Sequence, residues 1–406
     1  MKMKYLLSLT FMFYSFCLAE FEKNLQLKLI LAEPGDTVYI EAGFFHMLGD
    51  ISIKNKNNIV IQGSGSSKSI LSFNEQVSGL NGFEVLNCKN ITFQNFSIQG
   101  YRGSAFQCEN IVGLYFNDIK IEHTKNIKYQ NGLNGLNIKK CENFLIEYCF
   151  SNSAKNTGFS ITESKNGIIR FIGSEHNSIG IKIQNSSNID IHSNNILKNA
   201  AGIFIINIPD LSMQGTKKIR VFDNIIKNNN SPINTSSIGL SSGTGIFLMA
   251  VEEIEIFNNT ILDNNTFGTA IFSYLITELD TKDSEYIPYS SSINLYDNIF
   301  RRSREIPSLH TELGRILFLK FYKDIPDIIY DGVINPKYRG KYDMVSDPRR
   351  VCIVDNFEAN YLNLNIQRNF KSWYKPLIAR YNTDENECNC TQKRIQEVVI
   401  RNNKQF

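Results

Sequence analysis

Five copies of one short pattern decide the fold: Cys88-Lys89-Asn90, Cys108-Glu109-Asn110, Cys141-Glu142-Asn143, Ser164-Lys165-Asn166 and Ser186-Ser187-Asn188. Each copy begins with a small residue, ends in Asn and is followed by a short run of mostly alternating apolar residues. The Asn residues are 20, 33, 23 and 22 positions apart. A period of this length, with strands and no helical pattern between the copies, is typical of a β-solenoid in which one repeat forms one coil.

Each coil also contains a strand that begins with Gly. These strands are Gly135-Leu136-Asn137-Ile138-Lys139, Gly158-Phe159-Ser160-Ile161-Thr162, Gly180-Ile181-Lys182-Ile183-Gln184, Gly202-Ile203-Phe204-Ile205-Ile206 and Gly245-Ile246-Phe247-Leu248-Met249. Because side chains alternate along a strand, the residue after each Gly and the one two positions later are predicted to face the core. The remaining two residues of each strand are predicted to face outward in one column.

Asn recurs in two further phases of the repeat. One set is Asn177, Asn199, Asn229 and Asn264, and the other is Asn194, Asn224 and Asn259. Stacked Asn side chains can form hydrogen bonds along the axis of a solenoid. Asn is also a common turn residue because it tolerates positive φ. The sequence is compatible with both interpretations.

The N-terminus has the pattern of a signal peptide. Lys2 and Lys4 precede an apolar segment that ends in Cys17-Leu18-Ala19, and we predict cleavage before Glu20. A transmembrane anchor needs about 20 apolar residues, and this segment is shorter. A lipid anchor on Cys17 is a weaker alternative, because the residues before it are a poor lead-in. We therefore predict a secreted or periplasmic protein without a transmembrane segment.

The charges of the chain are balanced. Of 43 basic residues, Lys2 and Lys4 leave with the signal peptide, so that 41 remain against 40 acidic residues. No basic stripe is present, so the sequence predicts no nucleic-acid partner. His123, His176 and His192 lie in three different coils without metal-ligand spacing, and no metal site is predicted.

The cysteines fall into two groups. Cys88, Cys108 and Cys141 share one phase and are predicted to form a buried stack of thiols. Cys352 lies in the polar C-terminal part of the chain, and we predict a disulfide from it to Cys388 or to Cys390. The spacing does not choose between these two partners.

The outward column of the Gly-led strands is the candidate site. Its first half is a polar shelf formed by Asn137, Lys139, Ser160, Thr162, Lys182 and Gln184, and its second half is an apolar stripe formed by Phe204, Ile206, Phe247 and Met249. No carboxylate pair lies in the column, since Glu163 and Asp190 are outside its phase. Lys182 could neutralise a uronate or a sulfate, or it could be an ordinary solvated lysine. The apolar stripe could stack on sugar rings or be covered by the chain itself, and insertions at 123–134, 208–217 and 230–243 lengthen nearby loops.

Several motifs resemble a family of exported bacterial parallel β-helix repeat proteins of the pectin lyase-like superfamily. They are the run Gly180 to Ser186, Ile208-Pro209-Asp210-Leu211, the run Arg220 to Asn224, Asn228-Asn229-Asn230 and Gly243-Thr244-Gly245. The resemblance implies an all-β, right-handed parallel β-helix, and a polysaccharide-related role follows from that fold alone. The family tends to have acids where this chain has Asn156, Lys182, Gln184 and Asn207.

We therefore predict a signal peptide (1–19), a parallel β-helix (20–299) with an N-terminal cap, and a C-terminal α+β capping region packed on the solenoid (300–406). The predicted function is binding or remodelling of polysaccharide at the cell envelope, without a complete carboxylate site. One alternative is a polysaccharide lyase, hydrolase or epimerase acting on uronate-containing glycans. Lys182 would then be the charge neutraliser or base, and Asn156, Gln184 and Asn207 would contact the substrate. The other alternative is a protein-interaction scaffold that uses the apolar stripe. No cofactor is predicted, no feature calls for calcium, and the oligomeric state is left open.

Overall fold

The computed structural model describes residues 20–123, 132–232, 241–338, 349–369, 371 and 375–400. The chain winds into a parallel β-helix with two sheets. Sheet 1 contains 19 strands and sheet 2 contains 11 strands of the described residues. The predicted signal peptide lies outside the described residues, as do parts of the insertions at 123–134 and 230–243.

Sheet 1 takes two strands, or one long one, from most coils. Its strands are β1 (Thr37–Ile40), β2 (Gly43–His46), β4 (Asn57–Gly63), β5 (Ser69–Ser72), β7 (Lys89–Gln99), β9 (Val112–Glu122), β11 (Glu142–Glu147), β12 (Phe150–Asn152), β14 (Lys165–Arg170), β15 (Gly173–Glu175), β17 (Ser187–His192), β18 (Asn195–Leu197), β20 (Lys217–Phe222), β21 (Ile225–Lys227), β23 (Glu252–Phe257), β24 (Thr260–Leu262), β26 (Ser291–Tyr296), β27 (Ile299–Arg301) and β29 (Val351–Val354).

Sheet 2 takes one strand from each coil, and each of these strands is called a rung below. The rungs are β3 (Ile51–Lys54), β6 (Phe83–Leu86), β8 (Ser104–Glu109), β10 (Asn134–Lys139), β13 (Thr157–Thr162), β16 (Ile179–Gln184), β19 (Ala201–Ile206), β22 (Thr244–Met249), β25 (Phe267–Phe272), β28 (Ile328–Tyr330) and β30 (Tyr361–Asn363). Neighbouring rungs pair in parallel, as β13 does with β16.

The core lies between the sheets and is built from the predicted inward residues. Leu136, Ile138, Phe159, Ile161, Ile181, Ile183, Ile203, Ile205, Ile246 and Leu248 are each 0% exposed. Burying one such side chain stabilises the fold by roughly 1.5–3 kcal/mol. Cys88, Cys108 and Cys141 are buried free thiols, as predicted, but the predicted stack of all three is wrong. Cys108 lies inside rung β8, opposite Val85 and Ile138. The residue in phase with Cys88 and Cys141 is Ile111, because the second copy of the pattern is displaced by three residues.

The Asn residues of the repeat have two distinct structural roles. Asn90 (φ 52°) and Asn188 (φ 58°), like the other Asn residues of the five-copy pattern, are left-handed and turn the chain between the sheets. Asn199 and Asn229 instead belong to a buried ladder, in which the Nδ2 of Asn199 donates to the Oδ1 of Asn229 over 3.0 Å. A second ladder joins Asn194 to Asn224 at 2.9 Å and continues through later coils. For the two further phases, the ladder interpretation is confirmed and the positive-φ interpretation is wrong, because none of these seven Asn residues has a positive φ.

Parallel stacking continues past residue 299, where we predicted the capping region to begin. Strand β29 pairs with β26, and β28 pairs with both β25 and β30. The segments 273–290 and 302–327 interrupt the repeat here, which is why the later coils could not be aligned from sequence. Helix α2 (Glu312–Phe321) lies in the second of these segments.

Helices close the solenoid or join its later coils. Helix α1 (20–31) covers the first coil and buries Leu25 and Leu29 in the core. Four-residue α-helices occur at Ile366–Asn369 and Lys375–Ile378, and 3-10 turns occur at Tyr274–Thr277, Pro336–Tyr338 and Glu385–Cys388. Among the described residues, no helix has both the length and the apolar character needed to cross a membrane.

Candidate functional site

A pocket of about 310 Å³ lies on the outer face of sheet 2, near the middle of the solenoid. Its lining consists of Asn134, Asn137, Lys139, Asn156, Thr157, Ser160, Thr162, Ser178, Ile179, Lys182, Gln184, Phe204, Ile206 and Phe247. These residues come from β10, β13, β16, β19 and β22 and from the turns that precede them. The lining is rich in amides and hydroxyls, contains two lysines and has an apolar wall at one end.

The register of sheet 2 explains why these side chains converge. Asn137 is opposite Ser160, and Ser160 is opposite Lys182. Lys182 is in turn opposite Phe204, which is opposite Phe247. Successive strands of a sheet lie about 4.8 Å apart, so these residues form a straight column along the solenoid axis. The predicted alignment of the polar shelf and the apolar stripe is confirmed.

The loop 208–216 borders the separate cavity rather than the pocket, and hydrogen bonds attach it to the solenoid. The carboxylate of Glu163 accepts a hydrogen bond of 2.8 Å from the backbone N–H of Ser212. The side chain of Asn185 donates to the carbonyl oxygen of Ile208 (2.8 Å) and accepts from its N–H (3.0 Å). Glu163 and Asn185 directly follow β13 and β16, so the loop is held beside these two rungs.

Lys182 differs from the other lysine of the pocket in having no partner. Lys139 forms an ion pair of 3.4 Å with Glu109. The ammonium group of Lys182 has no carboxylate and no hydrogen-bond acceptor within reach among the described residues. Its side chain is half-buried, and burial lowers its pKa below the usual 10.5. A desolvated cation without an anion is unfavourable. An anionic group placed beside Lys182 would therefore stabilise the charge of its ammonium group.

Three neutral side chains show how much of the lining remains available to a ligand. The Nδ2 of Asn137 donates to Gln107 over 2.8 Å, and the hydroxyl of Ser178 donates to the carbonyl of Lys155 over 2.5 Å. The Oδ1 of Asn156 is buried and accepts no hydrogen bond from any described residue. A buried acceptor of this kind is costly unless it receives a donor. Because it has no accessible surface, this oxygen is not available to a ligand unless the lining moves.

Seven of the eight predicted substrate-binding residues line the pocket: Asn137, Lys139, Asn156, Ser160, Thr162, Lys182 and Gln184. Asn207 does not. It is buried where the chain leaves β19, its Oδ1 accepts from the N–H of Gly215 (3.1 Å), and it borders a separate cavity of about 230 Å³. The alternation of the strand ends at Ile206, so the side chain of the next residue points elsewhere.

Four lining residues were not predicted: Asn134, Thr157, Ser178 and Ile179. Asn134 and Thr157 are opposite one another in the register, as are Thr157 and Ile179. They precede the glycines that we took as strand starts. A Cβ on Gly135 would lie 2.4 Å from the carbonyl oxygen of Gly158, so only glycine fits there. Extending the column one residue before each glycine would have identified Asn134, Thr157 and Ile179.

The apolar stripe is covered by the chain itself. Phe204, Ile206, Phe247 and Met249 are 4%, 3%, 7% and 1% exposed. They pack with Tyr274 and Tyr286 of the 273–290 segment, with Leu317 of α2 and with apolar residues of the last rungs. The stripe therefore offers no bare apolar surface for a protein partner, which contradicts the scaffold hypothesis. Only the edges of Phe204, Ile206 and Phe247 remain exposed, and these edges form the apolar end of the pocket.

The structure chooses between the two predicted disulfides. Cys352 is bonded to Cys390, and Cys388 is a buried free thiol. Burial raises the pKa of the Cys388 thiol to about 11, which keeps it protonated and unreactive. Among the described residues, no group of three or more His, Cys, Asp or Glu side chains could hold a metal ion.

Comparisons with known proteins concern the fold. A family model described as a right-handed beta helix region matches residues 112–275. A search of curated proteins found no match to the sequence.

Several solved structures are similar at low identity. An A-module of a mannuronan C-5 epimerase from Azotobacter vinelandii is 14% identical, with a TM-score of 0.42 over 66% of this chain and 79% of its own. A DFA-IIIase from Arthrobacter chlorophenolicus A6 is 13% identical, with a TM-score of 0.45 over 76% and 86%. An alginate lyase from Paenibacillus sp. str. FPU-7 is 12% identical, with a TM-score of 0.43 over 83% and 92%. Likenesses this remote carry no information about the chemistry of the pocket.

The architecture and the family match agree. Parallel strands stack coil upon coil over nearly all of the described residues, and the matched segment contains every rung that lines the pocket. This chain is a right-handed parallel β-helix protein.

Proposed function

We propose that the protein binds an acidic polysaccharide in the pocket on sheet 2. The observation that carries this proposal is the half-buried ammonium group of Lys182, which has no anionic partner among the described residues and lies in a lining to which they contribute no carboxylate. A uronate carboxylate placed beside Lys182 would supply the missing negative charge. Because the pair would be partly desolvated, its contribution to binding would exceed that of an exposed ion pair.

The neutral lining groups favour a carbohydrate over other anions. Asn137, Thr162 and Gln184 present amides and a hydroxyl on three successive rungs, and Ser160 lies between them with only 2% of its surface exposed. The rungs repeat at about 4.8 Å, so polar groups meet the ligand at regular steps. Amides and hydroxyls can both donate and accept, which suits a ligand with many hydroxyl groups.

Calorimetric titration with short oligouronides, compared with neutral oligosaccharides of equal length, tests the proposal. We expect binding of the acidic ligands only, and a loss of affinity of about 30-fold or more in Lys182→Met, which corresponds to about 2 kcal/mol. Lys165→Met is the matched control, because Lys165 is exposed and pairs with Glu142 on sheet 1. Equal binding of neutral and acidic ligands, or wild-type affinity in Lys182→Met, would overturn the proposal.

A second candidate is a polysaccharide lyase or epimerase that uses the same pocket. The observation that favours it is the lowered pKa of Lys182, caused by burial, because a larger neutral fraction makes the amine a better base. In the lyase reaction the amine would remove the proton next to the uronate carboxylate. The bond to the leaving sugar oxygen would then break, a carbon–carbon double bond would form, and the departing oxygen would take up a proton from water or from the newly formed ammonium group of Lys182. In an epimerase a proton would return to the opposite face.

Hydrolysis has less support, because glycosidases use two carboxylates and none lines the pocket among the described residues. Incubation of the protein with polyuronates separates a binding protein, a lyase and an epimerase. Ultraviolet absorbance detects the unsaturated uronate that a lyase forms, and NMR detects epimerised residues. A signal that disappears in Lys182→Met would establish catalysis. Tight binding without either signal would establish a binding protein.

We also propose that the protein acts outside the cytoplasm, at the cell envelope. The disulfide between Cys352 and Cys390 supports this, because such bonds persist in oxidising compartments. N-terminal sequencing of protein recovered from the medium or the periplasm should begin at Glu20. Full-length protein that stays in the cytoplasm would contradict the proposal.

A further inference from the structure

Beyond the pocket, the outer face of sheet 2 is closed in one direction along the axis. After Phe247 and Met249 on β22, the column continues with Ala270 and Phe272 on β25, which are 0% and 1% exposed. Ile329 on β28 follows at 0%. A ligand that lies along the column therefore meets the protein's own chain immediately beyond the apolar wall.

The structure that closes this end is fixed by hydrogen bonds. The hydroxyl of Tyr286 donates to the carbonyl of Asn207 over 2.7 Å, and the hydroxyl of Ser290 donates to the carbonyl of Phe272 over 2.7 Å. The backbone N–H of Ser273 donates to the buried carboxylate of Asp331 over 2.5 Å. The 273–290 segment is thus attached at its start and at two points near its end, and it forms the wall of the groove.

In the opposite direction, none of the described residues covers the column. Gln107 and Glu109 on β8 are partly exposed and continue the column beyond Asn137 and Lys139. Farther on, the side chain of Glu84 on β6 is 33% exposed. Polar, accessible side chains therefore extend from the pocket towards the N-terminal end of the solenoid.

A groove that is open at one end and walled at the other accepts the end of a chain but not its interior. We propose that the pocket recognises the terminal residues of an acidic glycan, with the terminal ring against Phe204, Ile206 and Phe247. The uronate carboxylate lies on Lys182, and the rest of the polymer leaves over β10 and β8. This inference rests on the proposed function and specifies which part of the polysaccharide is bound.

Chain length at constant sugar mass provides the first test. A polyuronate is partially cleaved into fractions of decreasing length, and the wild-type protein is titrated with each fraction at equal mass concentration. If the protein binds chain ends, the number of binding sites on the polysaccharide grows with the number of chains. The isotherms of all fractions then overlay when they are plotted against the concentration of chain ends. Isotherms that overlay against sugar mass instead would overturn the proposal.

Blocked ends provide the second test. One set of oligouronides carries a bulky tag at the reducing end, and another set carries a cap at the non-reducing end. We expect one of the two sets to bind at least about tenfold more weakly than the free oligosaccharide, and the other set to bind normally. Normal binding of both sets would show that the interior of the chain is accepted.

The Lys182→Met variant distinguishes the two levels of inference. If it weakens binding while both blocked sets bind normally, the acidic-glycan pocket stands and recognition of chain ends is wrong. If it leaves binding of every oligouronide unchanged, the pocket itself has been misassigned. The matched Lys165→Met control should behave as wild type in both tests.

Discussion

The backbone N–H of Val398 donates a hydrogen bond of 3.0 Å to the carboxylate of Asp190, a residue 208 positions earlier in the chain. The same carboxylate accepts two hydrogen bonds from the guanidinium group of Arg220, at 2.8 and 2.5 Å. Asp190 therefore joins two neighbouring strands of sheet 1 and the C-terminal segment. This carboxylate is outside the pocket column, and its role is to hold the chain together.

The C-terminal segment 391–400 runs along the outside of sheet 1. It follows the disulfide between Cys352 and Cys390, which attaches it to β29. Arg394 lies over the ring of Tyr296 in β26, 5.8 Å from its centroid. The segment reaches β17 at Asp190, so it crosses the strands that lie between.

Replacing Asp190 should strongly destabilise the fold. In Asp190→Asn, Arg220 remains mostly buried (14% exposed) and loses its hydrogen-bonded anion. Loss of one partner of a buried pair costs about 3–5 kcal/mol, and the nearby carboxylates of Glu255 and Glu397 place the expected cost at the lower end of this range. Urea unfolding measures the change in the free energy of unfolding. Glu142→Gln removes the exposed pair with Lys165 and should cost at most about 1 kcal/mol. Similar small effects in both variants would show that Asp190 does not hold the segment.

Binding of acidic glycans should weaken with rising pH earlier than an ordinary lysine would allow. Burial lowers the pKa of Lys182 below 10.5, and only the protonated amine attracts a carboxylate. The dissociation constant measured from neutral to alkaline pH should therefore increase before exposed lysines titrate. An affinity that stays constant up to pH 10.5 would contradict a role for Lys182.

The same residue should be unfavourable for stability. Lys182 is desolvated without a partner, so Lys182→Met should leave the free energy of unfolding unchanged or raise it by about 1 kcal/mol. Denaturation of the ligand-free protein measures this. A clear loss of stability would reveal an anionic partner for Lys182 in the folded protein.

Asp331 should make the fold less stable as the pH rises. Burial raises the pKa of its carboxyl group from 3.8 to about 6. A folded-state pKa above the unfolded one means that the folded protein binds the proton more tightly. The associated stability is therefore complete below pH 3.8 and is lost as the pH rises to about 6.

Comparison with Asp331→Asn isolates this contribution. The wild type should lose about 2–3 kcal/mol relative to the variant between pH 4 and pH 7. The backbone N–H groups of Ser273 and Val333 bond to different oxygens of the carboxylate, and the single amide oxygen of Asn can replace only one of them. This loss is the same at every pH, so it does not affect the change in stability between pH 4 and pH 7. Parallel stability curves for the two proteins over this range would show that Asp331 does not titrate with a raised pKa.

Replacing an Asn residue at the centre of the buried ladder should reduce the stability of the fold. Asn229 accepts from the backbone N–H and the Nδ2 of Asn199 and donates to Asn264, each over 3.0 Å. Asn229→Ala leaves buried polar groups unpaired on both neighbours and should cost about 3 kcal/mol. Asn228→Gly is the control, because Asn228 is a left-handed turn residue (φ 55°) where glycine is tolerated. Equal stabilities of the two variants would contradict a structural role of the ladder.

The polar shelf could be predicted from sequence because two simple regularities define it. Alternation decides which residues of a strand face outward, and the repeat length decides which residues of neighbouring rungs are opposite. Ser160 and Lys182 therefore align as predicted. Asn207 could not be placed, because alternation ends with the strand. Asn134 was missed because Gly135 interrupts the alternation on the other side.

Other features depend on contacts between distant parts of the chain. Cys388 and Cys390 are two positions apart, and only the path of the C-terminal segment decides which of them reaches Cys352. The apolar stripe has the same pattern whether it is bare or covered. Its cover comes from the 273–290 segment and α2, neither of which follows the repeat. Sequence periodicity therefore predicts which way side chains face and which residues of neighbouring coils are opposite. It does not predict which segments pack on the outside of the coils.

The wall built on Phe272 and Tyr286 also fixes the length of oligosaccharide that the groove can hold. The usable length of the groove equals the number of coils between this wall and the N-terminal helix, and each coil contributes one strand spacing of about 4.8 Å. Adding or deleting a whole coil on the open side would lengthen or shorten the bound oligosaccharide by a fixed increment while leaving the wall and Lys182 in place. Related proteins could thus be tuned to glycans of different size by changing how many times one unit is repeated.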